Sequence, residues 1–153
     1  MQKINKTILQ NMEQINSAKK NSAKLAPILA FDYGEKMSGL AWSPDGIVVF
    51  PLKVVENKSR EILRETLAQT YLEKNCQQLV IGLPVSGDGN ENSICKTIRD
   101  FAKNLNIGNI VFVNERNSSQ EVIFRGKSNK LKPRIDDLAA ARILEYWLQN
   151  SFS

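Results

Sequence analysis

Asp32, Glu115 and Asp136 are far apart in a chain of 153 residues, and each interrupts an apolar pattern. Asp32 closes the run "ILAF", and Glu115 follows the run "NIVFVN". Asp136 opens a helical stretch. At about 100° per residue it lies nearer than Asp137 to the dry direction through Ala140, Ile143, Leu144 and Trp147. A carboxylate aimed at a core costs free energy unless it is paired or binds a metal. The chain has no histidine, and its two cysteines, Cys76 and Cys95, are too far apart for a zinc cluster. Three acids brought together would therefore suit a hard, oxygen-loving cation, Mg²⁺ or Mn²⁺. Two such ions about 3.5 to 4 Å apart activate water and stabilise the leaving oxygen in phosphodiester hydrolysis. Each acid alone also has a structural reading: a strand-end Asp near Gly is a turn residue, and an Asp in the first turn of a helix caps it or meets its dipole.

Positioning these acids together requires a sheet whose strands end on one crevice. Ile28 to Asp32, Ser38 to Ser43 and Gly46 to Val55 read as three strands, the last two joined through Pro44-Asp45-Gly46, which implies an antiparallel start. The period then changes. "SREILRETLAQTYLEKN" places Ile62, Leu63, Leu67, Tyr71 and Leu72 on one helical face. "QLVIGLP" is a short buried strand. "NSICKTIRDFAKNLNI" is a second helix with Ile94, Ile98, Phe101, Ala102 and Leu105 on its stripe and Asn92 or Ser93 as cap. "NIVFVNE" is the last strand, "SSQEVIF" a short helix, and "IDDLAAARILEYWLQN" the closing helix. Strands separated by helices of this length run parallel. The fold class is α/β.

The composition, 42% hydrophobic and 24% charged, is that of a folded soluble domain, and one core is what this length supports. No apolar run is long enough to span a membrane, so no membrane partner is expected. Residues 1 to 26 read as a flexible basic extension and residues 27 to 150 as the folded domain. Residues 1 to 25 hold five lysines against Glu13 alone, whereas the rest holds sixteen basic and fifteen acidic groups. A targeting peptide fits the opening poorly, because it lacks arginine and a compact apolar region. With two cysteines and no disulfide framework, a cytoplasmic location is expected.

Four segments, "FDYGEKMSGLAW", "VIGLPVSGDGN", "VFVNERNSSQEV" and "IDDLAAARILEYWL", resemble in order the signatures of the YqgF family, also called RuvX-like. The resemblance implies a ribonuclease H-like fold: a mixed five-stranded sheet in the order 3-2-1-4-5, its first three strands antiparallel, flanked by helices. It also implies a metal-dependent nuclease that matures the 5′ end of precursor 16S rRNA, or that resolves four-way Holliday junctions in DNA. The catalytic and metal-binding acids carried over are Asp32, Glu115 and Asp136, with Mg²⁺ or Mn²⁺ as cofactor.

Precursor rRNA or branched DNA would be the partner, together with a precursor ribosomal subunit, and the chain would act as monomer or homodimer. Gly34 and Gly39 would allow a tight turn beside the site, and Gly82, Leu83 and Pro84 would shape its wall. Lys36 would meet a phosphate or remain an exposed turn lysine. Arg116 would fix a phosphate or pair with an acid, and Ser118 and Ser119 would cap a helix or touch nucleic acid. "RGKSNKLKPR" carries Arg125, Lys127, Lys130, Lys132 and Arg134 without an anion, which suits a phosphate backbone as well as a solvated loop. Two departures from the family pattern stand out. Asn114 replaces an Asp, which keeps open a catalytically weak ribosome-assembly factor, and Met37 replaces a basic residue.

Overall fold

Continuous apolar runs bounded by turn residues become the central strands of the sheet, buried on both faces, while its edge strands are partly exposed. The structure is a computed structural model that describes residues 9–10, 25–115 and 135–150, with the side chains of 135–137 outside the description. In chain order the elements are β1 (Ile28–Asp32), β2 (Met37–Ser43), β3 (Phe50–Glu56), α1 (Arg60–Glu73), β4 (Gln78–Leu83), α2 (Ser93–Lys103), β5 (Ile110–Asn114) and α3 (Ile135–Asn150). The sheet order is β3-β2-β1-β4-β5. β1 pairs antiparallel with β2, and β2 with β3, while β1–β4 and β4–β5 are parallel. Both the mixed sheet and its order are those the family resemblance implies.

Alternation along each strand sends side chains to two layers. Leu29, Phe31, Leu40, Leu79, Ile81 and Leu83 pack with Leu63 and Leu67 of α1 and with Ile98, Phe101 and Ala102 of α2. Ile28, Ala30, Ala41, Val80 and Val113 pack on the other face with Ala140, Ala141, Ile143, Leu144 and Leu148 of α3. Trp147 is only partly buried against this second layer. Phe112, Tyr33 and Trp42 are partly buried against the first, where their packing is that of core residues.

Local chemistry moves some boundaries from their sequence reading. β3 begins at Phe50 rather than Gly46, because the Asp45 carboxylate accepts hydrogen bonds from the backbone of Ile47 and Val48, both at 2.9 Å. That turn holds the chain out of the ladder. On α1 the buried residues are Leu63, Leu67 and Thr70, within about 60° of one another. Ile62 and Leu72 point elsewhere and are exposed. The Thr70 hydroxyl tolerates burial by donating to the Thr66 carbonyl at 2.8 Å. On α2, Asn92 is the N-cap and accepts from the Cys95 amide at 3.1 Å, while Cys95 is buried and Ile94 exposed. Cys76 and Cys95 are free and buried. Among the described residues, no helix is long and apolar enough to cross a membrane.

The expected extension over residues 1 to 26 and the short helix over "SSQEVIF" fall, but for residues 9–10 and 25–26, outside the described residues.

Candidate active site

Asp32 is the last residue of β1, the central strand, and by alternation it follows Ile28 and Ala30 onto the face covered by α3. It stands opposite Gly39 of β2. The chain then turns through Tyr33, Gly34, Glu35 and Lys36. Gly34 is required there for space, since a Cβ at that position would collide with the Met37 carbonyl oxygen. The turn is tied by the Gly34 amide donating to Ser38 Oγ at 3.0 Å and by Asn57 Nδ2 donating to the Gly34 carbonyl at 3.0 Å. Gly39 lies within β2 and takes no part in the turn itself.

Glu115 comes from the far side of β4. Its backbone N–H donates to the Leu83 carbonyl at 2.8 Å, which fixes the exit of β5 against the end of β4. Since β4 separates β1 from β5, the two acids start from strands roughly 10 Å apart. They nevertheless meet: the Asp32 and Glu115 carboxyls share a hydrogen bond. Gly82 of β4 makes this possible, because the Glu115 carboxylate occupies the place its side chain would fill. Burial, then the charge of Asp32 and their hydrogen bond, push the Glu115 carboxyl up to about 8, while the charge of Arg142 on α3 opposes the shift. The pair thus holds a proton near neutrality when no cation is present.

The chain matches the family described as RuvX, Holliday junction resolvase, over residues 26–150. The chain belongs to the RuvX family. It is similar to a protein of Maridesulfovibrio salexigens, 37% identical over 130 residues that cover 79% of this chain and 96% of the relative. A protein of Helicobacter pylori strain HPAG1 is 37% identical over 131 residues, covering 80% and 95%. One of Sulfurimonas denitrificans is 32% identical over 125 residues, covering 79% and 95%. All three carry the name "Putative pre-16S rRNA nuclease". The fold is ribonuclease H-like, as the sheet order and the RuvX match together indicate.

Set against the RuvX signatures, the structure brings together Asp32 and Glu115. Asp136 lies in the first turn of α3, about two turns before Ile143, which packs beside Gly82; its side chain is outside the described residues. Among the described residues no three potential metal ligands cluster. Lys36 is exposed on the turn that follows Asp32. Arg116, Ser118, Ser119, Arg125, Lys127, Lys130, Lys132 and Arg134 all lie outside the described residues. Asn114 is exposed and alternates away from Val113, so the charge it lacks is not one that faces Asp32.

Two contributors escape a reading by periodicity. Arg142 falls on the wet side of α3 by the helical wheel, yet it is partly buried and its charge is felt at Glu115. Gly82 reads as part of the crevice wall, and its role as the space beneath a carboxylate depends on strand register. The one available signal is a glycine inside an apolar strand, which marks a close approach.

Proposed function

We propose that this chain is a divalent-cation-dependent endonuclease that hydrolyses phosphodiester bonds at the 5′ end of precursor 16S rRNA. The observation that carries the reading is the Asp32–Glu115 pair, two carboxyls from non-adjacent strands held in contact at the end of the sheet. The donor chemistry fits a hard cation. The groups are oxygens only, partly buried, and of like charge, so they share a proton when alone and ionise together only when a metal offsets their repulsion.

Asp32, Glu115 and Asp136 are the residues that would hold Mg²⁺ or Mn²⁺. When bound, the ion would supply polarisation of the phosphate and a water of lowered pKa. The chain's own work is to release the proton shared by Asp32 and Glu115, to fix both carboxylates against the sheet, and to seat the nucleic acid. Lys36 is exposed on the adjoining turn, and there it would meet a backbone phosphate. Arg116, Ser118 and Ser119 and the cations from Arg125 to Arg134, which lie outside the described residues, would be the further groups that bind the phosphate backbone. The buried free thiols suit the reducing cytoplasm.

A second reading, resolution of four-way DNA junctions, is favoured by the description of the matched family. It requires two symmetric cuts, ordinarily by a dimer. Both readings are tested by offering purified protein a precursor 16S rRNA fragment and a four-way junction at matched salt, with Mg²⁺, Mn²⁺ or EDTA. Cation-dependent cleavage of the RNA at its mature 5′ end supports the first. Paired symmetric nicks in the junction alone would replace it with the second, and binding without cleavage of either would leave an assembly factor.

A further inference from the structure

We infer that Gly82 is a positioning residue, the empty place in β4 across which Glu115 reaches Asp32. The inference rests on the proposed cation site and adds to it a residue that has no ligating side chain of its own. Ile81 and Leu83, its neighbours, are fully buried on the opposite face, so Gly82 sits one residue from the end of a buried strand. Glycine weakens such a strand and is kept there only for a reason.

That reason is space. Among the described residues the glycines with positive φ are Gly46 and Gly89, so backbone conformation does not call for glycine at position 82. A Cβ there would collide with Oε1 of Glu115, stand 2.7 Å from its Cδ, and stand 2.5 Å from Cδ1 of Ile143. By contrast, a Cβ at Gly87 or Gly108 would meet nothing within 4 Å. The two obstacles at Gly82 are chemically separate. One is a packing contact with α3, and the other is the carboxylate itself.

This separation supplies the test. Gly82→Ala alone strains both contacts and can fail to fold, so it is combined with Ile143→Val, which removes the Cδ1 obstacle and leaves the carboxylate one. Relative to Ile143→Val, the double variant is expected to keep its melting temperature, bind Mn²⁺ at least tenfold more weakly in calorimetry without nucleic acid, and cleave precursor rRNA at least tenfold more slowly. A crystal structure of the double variant should show Glu115 displaced from Asp32. Mn²⁺ affinity and cleavage equal to those of Ile143→Val, or Glu115 still hydrogen-bonded to Asp32, would overturn the assignment. Unaltered protein that binds no Mn²⁺ sinks the cation reading instead, and the crystal structure then decides the role of Gly82 alone.

Discussion

The two faces of the sheet are built from the same strands and are not alike. Toward α1 and α2 the strands send large side chains, and at their carboxyl ends this layer closes with rings: Phe31 stacks on Phe101 at 5.5 Å, and Tyr33 lies 5.4 Å from Phe101. Toward α3 they send Ala30, Ala41 and Val80 against Ala140 and Ala141, and the carboxyl ends carry Asp32, Gly82 and Glu115. Small residues let α3 lie close to the sheet. The first layer supplies burial; the second gives up bulk so that two acids can meet beside a helix. One residue step off the end of β1, from Asp32 to Tyr33, separates the reactive side from the packed one.

The largest expected effect breaks the α3 face alone. Asp32→Asn and Glu115→Gln should each slow Mg²⁺-dependent cleavage of precursor rRNA at least about 10³-fold, which is about 4 kcal/mol of barrier, with the circular dichroism of the folded protein retained. Glu115→Asp is the sharper variant. It keeps the charge but shortens the reach across β4, and it should lose nearly as much rate in single-turnover assays. Near-normal cleavage by Glu115→Asp would mean that charge, and not reach, is what position 115 supplies.

On the opposite face the expected loss is in stability. Phe101→Ala removes the ring that packs on Phe31 and Tyr33 and lies beneath Arg64, whose guanidinium is 5.0 Å from its centroid. It should cost about 3 to 5 kcal/mol in urea unfolding. Ala140→Leu, which overfills the close layer under α3, should cost about 1 to 3 kcal/mol. Equal costs would erase the contrast between a filled layer and a fitted one.

The pH dependence sharpens the same contrast. The Glu115 carboxyl is raised from 4.5 to about 8 in the folded chain, so between those values the folded state holds a proton that the unfolded state has released. Its contribution therefore falls as pH rises from about 4.5 toward 8, the reverse of a salt-bridged acid. In EDTA, Glu115→Gln should come close to the unaltered protein near pH 5 and exceed it by about 4 kcal/mol at pH 8.5, measured by urea unfolding at both values. Cleavage should rise over the upper part of the same range, because the cation competes with the shared proton. A flat difference between the two proteins would show that Glu115 ionises as an exposed acid does.

What could be read in advance divides along the same line. The strands were legible because Ile28–Phe31 and Leu79–Leu83 are apolar without interruption, and the acids Asp32 and Glu115 because they interrupt or follow such runs. Errors arose where a side chain bonds its own backbone: Asp45 delays β3, and Thr70 occupies a buried place on α1 that its type would not suggest. Arg142 and Gly82 were beyond periodicity, since their roles depend on which strands are neighbours and in what register. That information resides in the sheet and not in any one segment.

The smallest effects belong to the helix caps, and they compare the two helices of the packed face. Ser59 accepts one bond, from the Ile62 amide at 3.1 Å, whereas Asn92 accepts from Cys95 and also donates through Nδ2 to the Pro84 carbonyl at 3.0 Å. Ser59→Ala should cost about 1 kcal/mol, and Asn92→Ala somewhat more, because it also releases the loop that leaves β4 beside Gly82. Asn92→Asp separates the two roles: it retains the acceptor at the helix start, where negative charge is favoured, but sets an oxygen against the Pro84 carbonyl. Thermal unfolding should therefore rank Asn92→Asp between the unaltered protein and Asn92→Ala. If Asn92→Asp were as stable as the unaltered protein, the bond to Pro84 would contribute nothing, and the loop after β4 would be held by its own turn at Asp88 and Gly89, where the Gly89 amide donates to the Ser86 carbonyl at 2.8 Å.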